Sequence, residues 1–116
     1  MTFVKEEEDF LYDFALTDGK NLTSMIQSCT DQQVRAIAEC IINIPLHSSC
    51  KHINKIRTKL LNGVRKSYGD WKGVFLAYPE TVRRVVARVV RDIIVCEIVW
   101  LLLNHEDNAS SGLSAL

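Results

Sequence analysis

Cysteine and histidine are the residues of this chain best suited to chemistry, and four of them crowd one short stretch: Cys40, His47, Cys50 and His52. Thiolate and imidazole are the donors that zinc prefers. A thiolate beside an imidazole is also the nucleophile and base of cysteine catalysis. Neither arrangement is completed. Cys40 and His47 flank Pro45, no second CxxC pair exists, and no motif nearby supplies an oxyanion donor or a group to orient an imidazole. Cys40 and Cys96 also stand where helical spacing calls for small apolar residues, a common setting for a free cysteine. We therefore assign no metal, no cofactor and no catalytic residue, and expect a non-enzymatic protein.

The second chemistry is electrostatic. The net charge is zero, but residues 1–32 hold seven acids and two bases, residues 33–95 twelve bases and four acids, and residues 96–116 three acids. A basic middle between acidic ends says more about partners than the total does. Lys51, Lys55, Lys59 and Lys66 fall on one helical face with Arg65 beside them, and Arg83, Arg84, Arg88 and Arg91 make a second stripe. Such stripes suit phosphate backbones, where each neutralised phosphate releases counterions. Lys51, Lys55, Lys59, Lys66, Arg84, Arg88 and Arg91 are thus the candidate nucleic-acid surface. Against it, Tyr68, Trp71 and Tyr78 occupy apolar helical positions and are poorly placed to stack on bases. A solvated face, or neutralisation by the acidic segments, explains the same pattern.

Few, long elements must position these residues. Two prolines and five glycines in 116 residues are too few for a many-stranded fold, and 47% apolar residues suffice for one core. Phe3, Phe10, Leu11 and Phe14 around an acidic run predict a helix over 4–16, ended by Asp18-Gly19. Asn21 is the expected cap of a brief helix bearing Leu22, Met25 and Ile26. Thr30 with Gln33 forms a capping-box pattern before Val34, Ile37 and Ile41, and Pro45 stops that helix at Ile44. A helix over about 49–67, capped by Ser48 or Ser49, places Ile53, Ile56, Leu60, Leu61 and Val64 on one face. Tyr68-Gly69-Asp70 is expected to turn, with Asp70 capping a short helix that carries Trp71, Val74 and Phe75.

Pro79 suits a first helical position. From there Val82, Val86, Val89, Ile93, Cys96, Trp100 and Leu103 recur in steps of three and four, a heptad-type seam. Valine-rich runs also suit strands, but Val85-Val86, Val89-Val90 and Ile93-Ile94 come in adjacent pairs, which is a helical period. From Ile93 onward the helix is apolar nearly all round, and such a helix is central in a core or shared with another chain. Two charges break the apolar pattern, Arg57 and Glu97, and an uncompensated buried charge is costly enough to predict that they pair, within a subunit or across an interface; the competing account is that Glu97 faces solvent near the helix end.

The stretch Gln33-Val34-Arg35-Ala36-Ile37-Ala38-Glu39-Cys40, then Asn43-Ile44-Pro45-Leu46 and a lysine-rich helix, resembles a small uncharacterised protein of Maverick/Polinton-type elements and adintoviruses. The likeness covers about residues 22–61. This chain lacks the glycine expected between the asparagine and the proline, and beyond residue 68 it has a long apolar helix in place of a basic tail. The resemblance implies a virus-derived or mobile-element context and contributes no site residues.

The sequence thus predicts an all-α, compact bundle of about five to six helices with a long apolar C-terminal helix. Residues 1–104 form a single helical domain and residues 105–116 an acidic flexible tail. The acidic start Met1–Asp9 is unlike a secretory signal, so an intracellular protein (cytoplasm or nucleus) with reduced thiols is expected. Ile93–Leu103 is shorter than the roughly 20 residues of a membrane span and contains Glu97. The leading function is interaction or assembly: self-association, or binding of a protein partner, through helix 79–104, with Val82, Val86, Val89, Ile93, Trp100 and Leu103 at the interface. The alternatives are a nucleic-acid-binding module and a host-regulatory adaptor with a groove for a partner helix.

Overall fold

The predicted helix starts rest on capping residues, an acidic first turn or a proline before an apolar repeat. The computed structural model, which describes residues 3–44, 51–62 and 68–115, shows what those signals build. Six helices follow one another: α1 (Lys5–Leu16), α2 (Gly19–Gln27), α3 (Asp31–Asn43), α4 (Lys51–Asn62), α5 (Tyr68–Ala77) and α6 (Pro79–Ala115). No strand occurs among the described residues, and the fold is all-α.

Local chemistry fixes the boundaries. Glu7 in the first turn of α1 turns back to accept from the Val4 amide at 3.1 Å. Thr30 caps α3 as its sequence pattern demands: Thr30 Oγ1 accepts from the Gln33 amide at 3.2 Å, and the Thr30 amide donates to Gln33 Oε1 at 2.9 Å. Ile44 is extended, with ψ 134°, as the residue before a proline must be. Two expectations are corrected. Asp18, not Asn21, caps α2, because its carboxylate accepts the Asn21 amide and so satisfies an orphan donor of the first turn. Tyr68-Gly69-Asp70 is not a turn but the start of α5. The Ser48 and Ser49 caps, and residues 63–67 of the predicted fourth helix, lie outside the described residues.

Helix α3 is central in the bundle together with α6, which packs on every other helix. Val34, Ala36, Ile37, Ala38, Cys40 and Ile41 are all buried, so α3 is enclosed on several sides, and it packs on α1, α4, α5 and α6. Ala36, Ala38 and Cys40 are small enough for neighbouring helices to approach closely. Around α3 lie Leu11, Phe14, Leu22, Ile26, Ile56, Leu60, Phe75, Val82 and Val86, each at most 2% exposed. Phe10 packs tilted on Phe14 with ring centres 5.9 Å apart.

The last carbonyls of a helix need donors, and a cation there complements the dipole. None of α1, α2 and α3 has a basic residue in its last turn. Each receives one from later in the chain. Arg83 of α6 donates to the Ala15 carbonyl of α1 at 3.0 Å, and Lys72 of α5 to the Gln27 carbonyl of α2 at 3.1 Å. Arg57 of α4 donates to the Ile41 carbonyl of α3 at 3.2 Å and also to that of Ile44. The pairing is nested: α3 with α4, α2 with α5, α1 with α6. The basic middle of the sequence is thus used partly on backbone carbonyls at helix ends. The ion pairs Arg35–Glu39, Arg83–Glu80 and Arg84–Glu80 each stay within one helix, so they do not join the basic middle to the acidic start.

Candidate interaction surface

Helix α6 is about 55 Å long at 1.5 Å per residue, close to the 60 Å longest dimension of the molecule, whose other extents are 31 and 27 Å. It lies mainly against α1. The two helices run antiparallel: Arg83 meets Ala15 near the end of α1, while Glu97 lies near enough to Tyr12 to act on its phenol. Burial along α6 ends near Ile93, the last of its residues packed on the core. Its helical backbone continues through Ala115, past the predicted domain end at residue 104.

The predicted interface is divided at that point. Val82, Val86 and Val89 are 0–3% exposed, sealed by the chain's own helices, and are not available to a partner. The period of the seam is unbroken; only the extent of the helices packed on it divides it. Ile93 is half-buried at the edge. Beyond it Ile94, Val95, Ile98, Val99, Trp100, Leu101, Leu102 and Leu103 are 42–63% exposed, on every side of the helix. Trp100 and Leu103 are therefore the two predicted interface residues that remain exposed.

One side of this segment continues into a groove. Tyr12, Ala15 and Leu16 of α1 face Ala87, Val90, Arg91, Ile94 and Val95 of α6 around a cavity of about 390 Å³. Ala15 and Ala87 leave the hollow, and Leu16, 86% exposed, stands on its wall. Alanine carries little hydrophobic signal, so neither residue stands out in the sequence. A second recess, of about 550 Å³, lies between Cys96, Glu97, Trp100 and Leu101.

Within one chain the predicted Arg57–Glu97 pair does not form. Arg57 spends its donors on the Ile41 and Ile44 carbonyls, and Glu97 is exposed on the projecting segment. The carbonyls at a helix end were the competing anionic partner, and they lie much closer in the chain. Glu97, with Glu8 and Asp9, adds to burial in raising the Tyr12 pKa above 10.0, burial being the larger cause.

The basic candidates divide as well. Lys55, Lys59, Arg84, Arg88 and Arg91 are exposed. Lys59 sits 5.6 Å from the ring centre of Tyr78, and Arg84 lies 3.9 Å from Glu80. Arg84, Arg88 and Arg91 line a recess together with Asp92, whose charge opposes an anion there. Lys66 and Arg65 lie outside the described residues, as do His47 and Cys50, and the side chains of Lys51 and His52 are likewise outside them.

Among the described residues no three His, Cys, Asp or Glu side chains come together as a metal site. Burial pushes the Cys29 thiol up to about 11 and that of Cys40 to about 12, so both are held as neutral thiols and not as nucleophilic thiolates. No described helix is long and apolar enough to cross a membrane. No family model, curated protein or solved structure matches the chain.

Proposed function

We propose that this is a non-enzymatic assembly protein that self-associates through the projecting half of α6, residues 94–103. One observation carries the reading: eight large apolar side chains on consecutive turns stand 42–63% exposed beyond the end of their own bundle. Contiguous apolar patches beyond a few hundred Å² mark interaction surfaces on soluble proteins. The exposed stretch runs over about three turns of helix. A second copy brings an equal apolar area. The resemblance of residues 22–61 adds a virus-derived setting to the reading.

The nucleic-acid alternative has less support. Arg57, Lys72 and Arg83 are engaged with helix ends, and Asp92 sits among the remaining arginines.

Light scattering over a concentration series tests the proposal. The expected result is a defined oligomer that Trp100→Asp with Leu102→Asp converts to a folded monomer. A wild-type protein that stays monomeric at high concentration would overturn it, as would a mass that changes only when nucleic acid is added.

A further inference from the structure

The groove and the projecting segment lie on one face of α6. Residues 87, 90, 91, 94, 95, 98, 101 and 102 recur in steps of three and four, and at about 100° per residue they share one side of the helix. The lower part of that stripe, Ala87 to Val95, forms the floor of the groove beside Tyr12, Ala15 and Leu16. The upper part, Ile98, Leu101 and Leu102, is an exposed ridge. Ile94 and Val95 belong to both.

A hollow and a ridge on the same face, displaced along one axis, meet the condition for an isologous two-fold contact. In such a contact each surface element of one copy meets a different element of its partner, reciprocally. We infer that two copies pair antiparallel about Ile94, the ridge of each α6 seated in the α1–α6 groove of the other. This rests on the reading that the projecting half self-associates, and it names the surface that receives it. Ala87 lies seven residues before Ile94 and Leu101 seven after it, so a small residue meets a large one at each end. Val90 and Ile98 match in the same way, four residues to either side. Arg91, which is exposed, forms the rim, its stem against the groove and its guanidinium in water. The groove suits leucine and isoleucine side chains better than a polar ligand, because its lining offers polar atoms only at Tyr12 and Arg91.

Disulfide cross-linking of the full chain, with Cys50 and Cys96 replaced by serine, separates this geometry from others. Cys29 and Cys40 are buried and do not interfere. An Ala87→Cys protein mixed with a Leu101→Cys protein is expected to give the mixed cross-linked dimer. Ile94→Cys should link to itself, and Leu101→Cys alone should not. If Leu101→Cys links to itself and the mixed product is missing, the copies associate in parallel: the antiparallel docking falls and self-association stands. If no variant links and light scattering gives a monomer, both fall. Ala87→Trp provides a second reading that does not depend on cross-linking. Filling the groove should weaken association tenfold or more with the bundle still helical; unchanged association would overturn the docking.

Discussion

The stretch of α6 richer in apolar residues is the exposed one: nine of the ten residues 94–103 are apolar, against seven of the fifteen residues 79–93. Residues 79–93 put Val82, Val85, Val86, Val89 and Val90 into the core beneath an outer face of arginines, whereas residues 94–103 expose apolar groups on every side. Composition therefore does not decide what a helical face does. Cover decides it, and on α6 that cover stops at Ile93.

The sharpest break of this comparison is the same substitution in each half. Val86→Asp puts an unpaired carboxylate in a fully buried position, at a cost of several kcal/mol against a total stability of about 5–15 kcal/mol for a domain of this kind. Loss of the helical signal, or a much lowered midpoint in chemical denaturation, is expected. Leu102→Asp should leave the unfolding midpoint of the bundle nearly unchanged and abolish association. Equal loss of stability in both variants would show that the projecting half is part of the core.

A smaller effect is expected from the two charges that the sequence pairs and the structure separates. Arg57→Leu removes donors from two carbonyls at the end of α3 and should destabilise by about 1–3 kcal/mol, less than full burial would give because Arg57 is only half-buried. Glu97→Leu should cost no stability in the monomer and should strengthen association. Thermal unfolding of both variants checks the pair of outcomes; a marked destabilisation by Glu97→Leu would contradict the separation.

Why one part of this picture was legible from sequence and another was not follows from these residues. Helix starts are local: Thr30 with Gln33, Ile44 before Pro45, and Pro79 in a first turn act within four residues of themselves, and each helix formed where they place it. The three donors to helix ends act across the chain. The missing basic residues in the last turns of α1, α2 and α3 were the available signal, but the sequence alone did not say which later cation would supply each one. The seam failed as a single interface for the same reason. Its period reports the geometry of one helix and carries no information on where a neighbour stops. The central position of α3 was hidden because Ala36, Ala38 and Cys40 add little to an apolar face, although their small size is what lets other helices surround it.

The smallest expected effect is a pH dependence at the start of α6. The hydrogen bond from Arg83, together with the Arg83 and Arg84 charges, holds the Glu80 carboxyl below its usual value of 4.5. A carboxylate with a lowered folded-state pKa contributes stability above its unfolded value and loses it as pH falls through the folded one. The midpoint difference between wild type and Glu80→Gln should accordingly be largest near neutral pH and shrink below pH 4.5. It should also shrink in high salt, since the pair is exposed. A difference that grows on acidification would contradict the assignment.

The nested capping of α1, α2 and α3 also predicts an order of assembly. The donor–acceptor separations lengthen outward: 13 and 16 residues for Arg57 with Ile44 and Ile41, 45 for Lys72 with Gln27, 68 for Arg83 with Ala15. Closing the inner pair first turns each later pair into a short extra step, since the cost of closure depends on the loop still open. The α3–α4 hairpin is then the nucleus and the α1–α6 contact the final closure. Transition-state φ-values should fall from Ile37 and Ile56 towards Leu11 and Val82; the reverse gradient would refute this order. On this path the groove, which needs α1 seated on α6, exists only once the bundle is complete. An unfinished chain would therefore expose its sticky helix before it had anywhere to dock it.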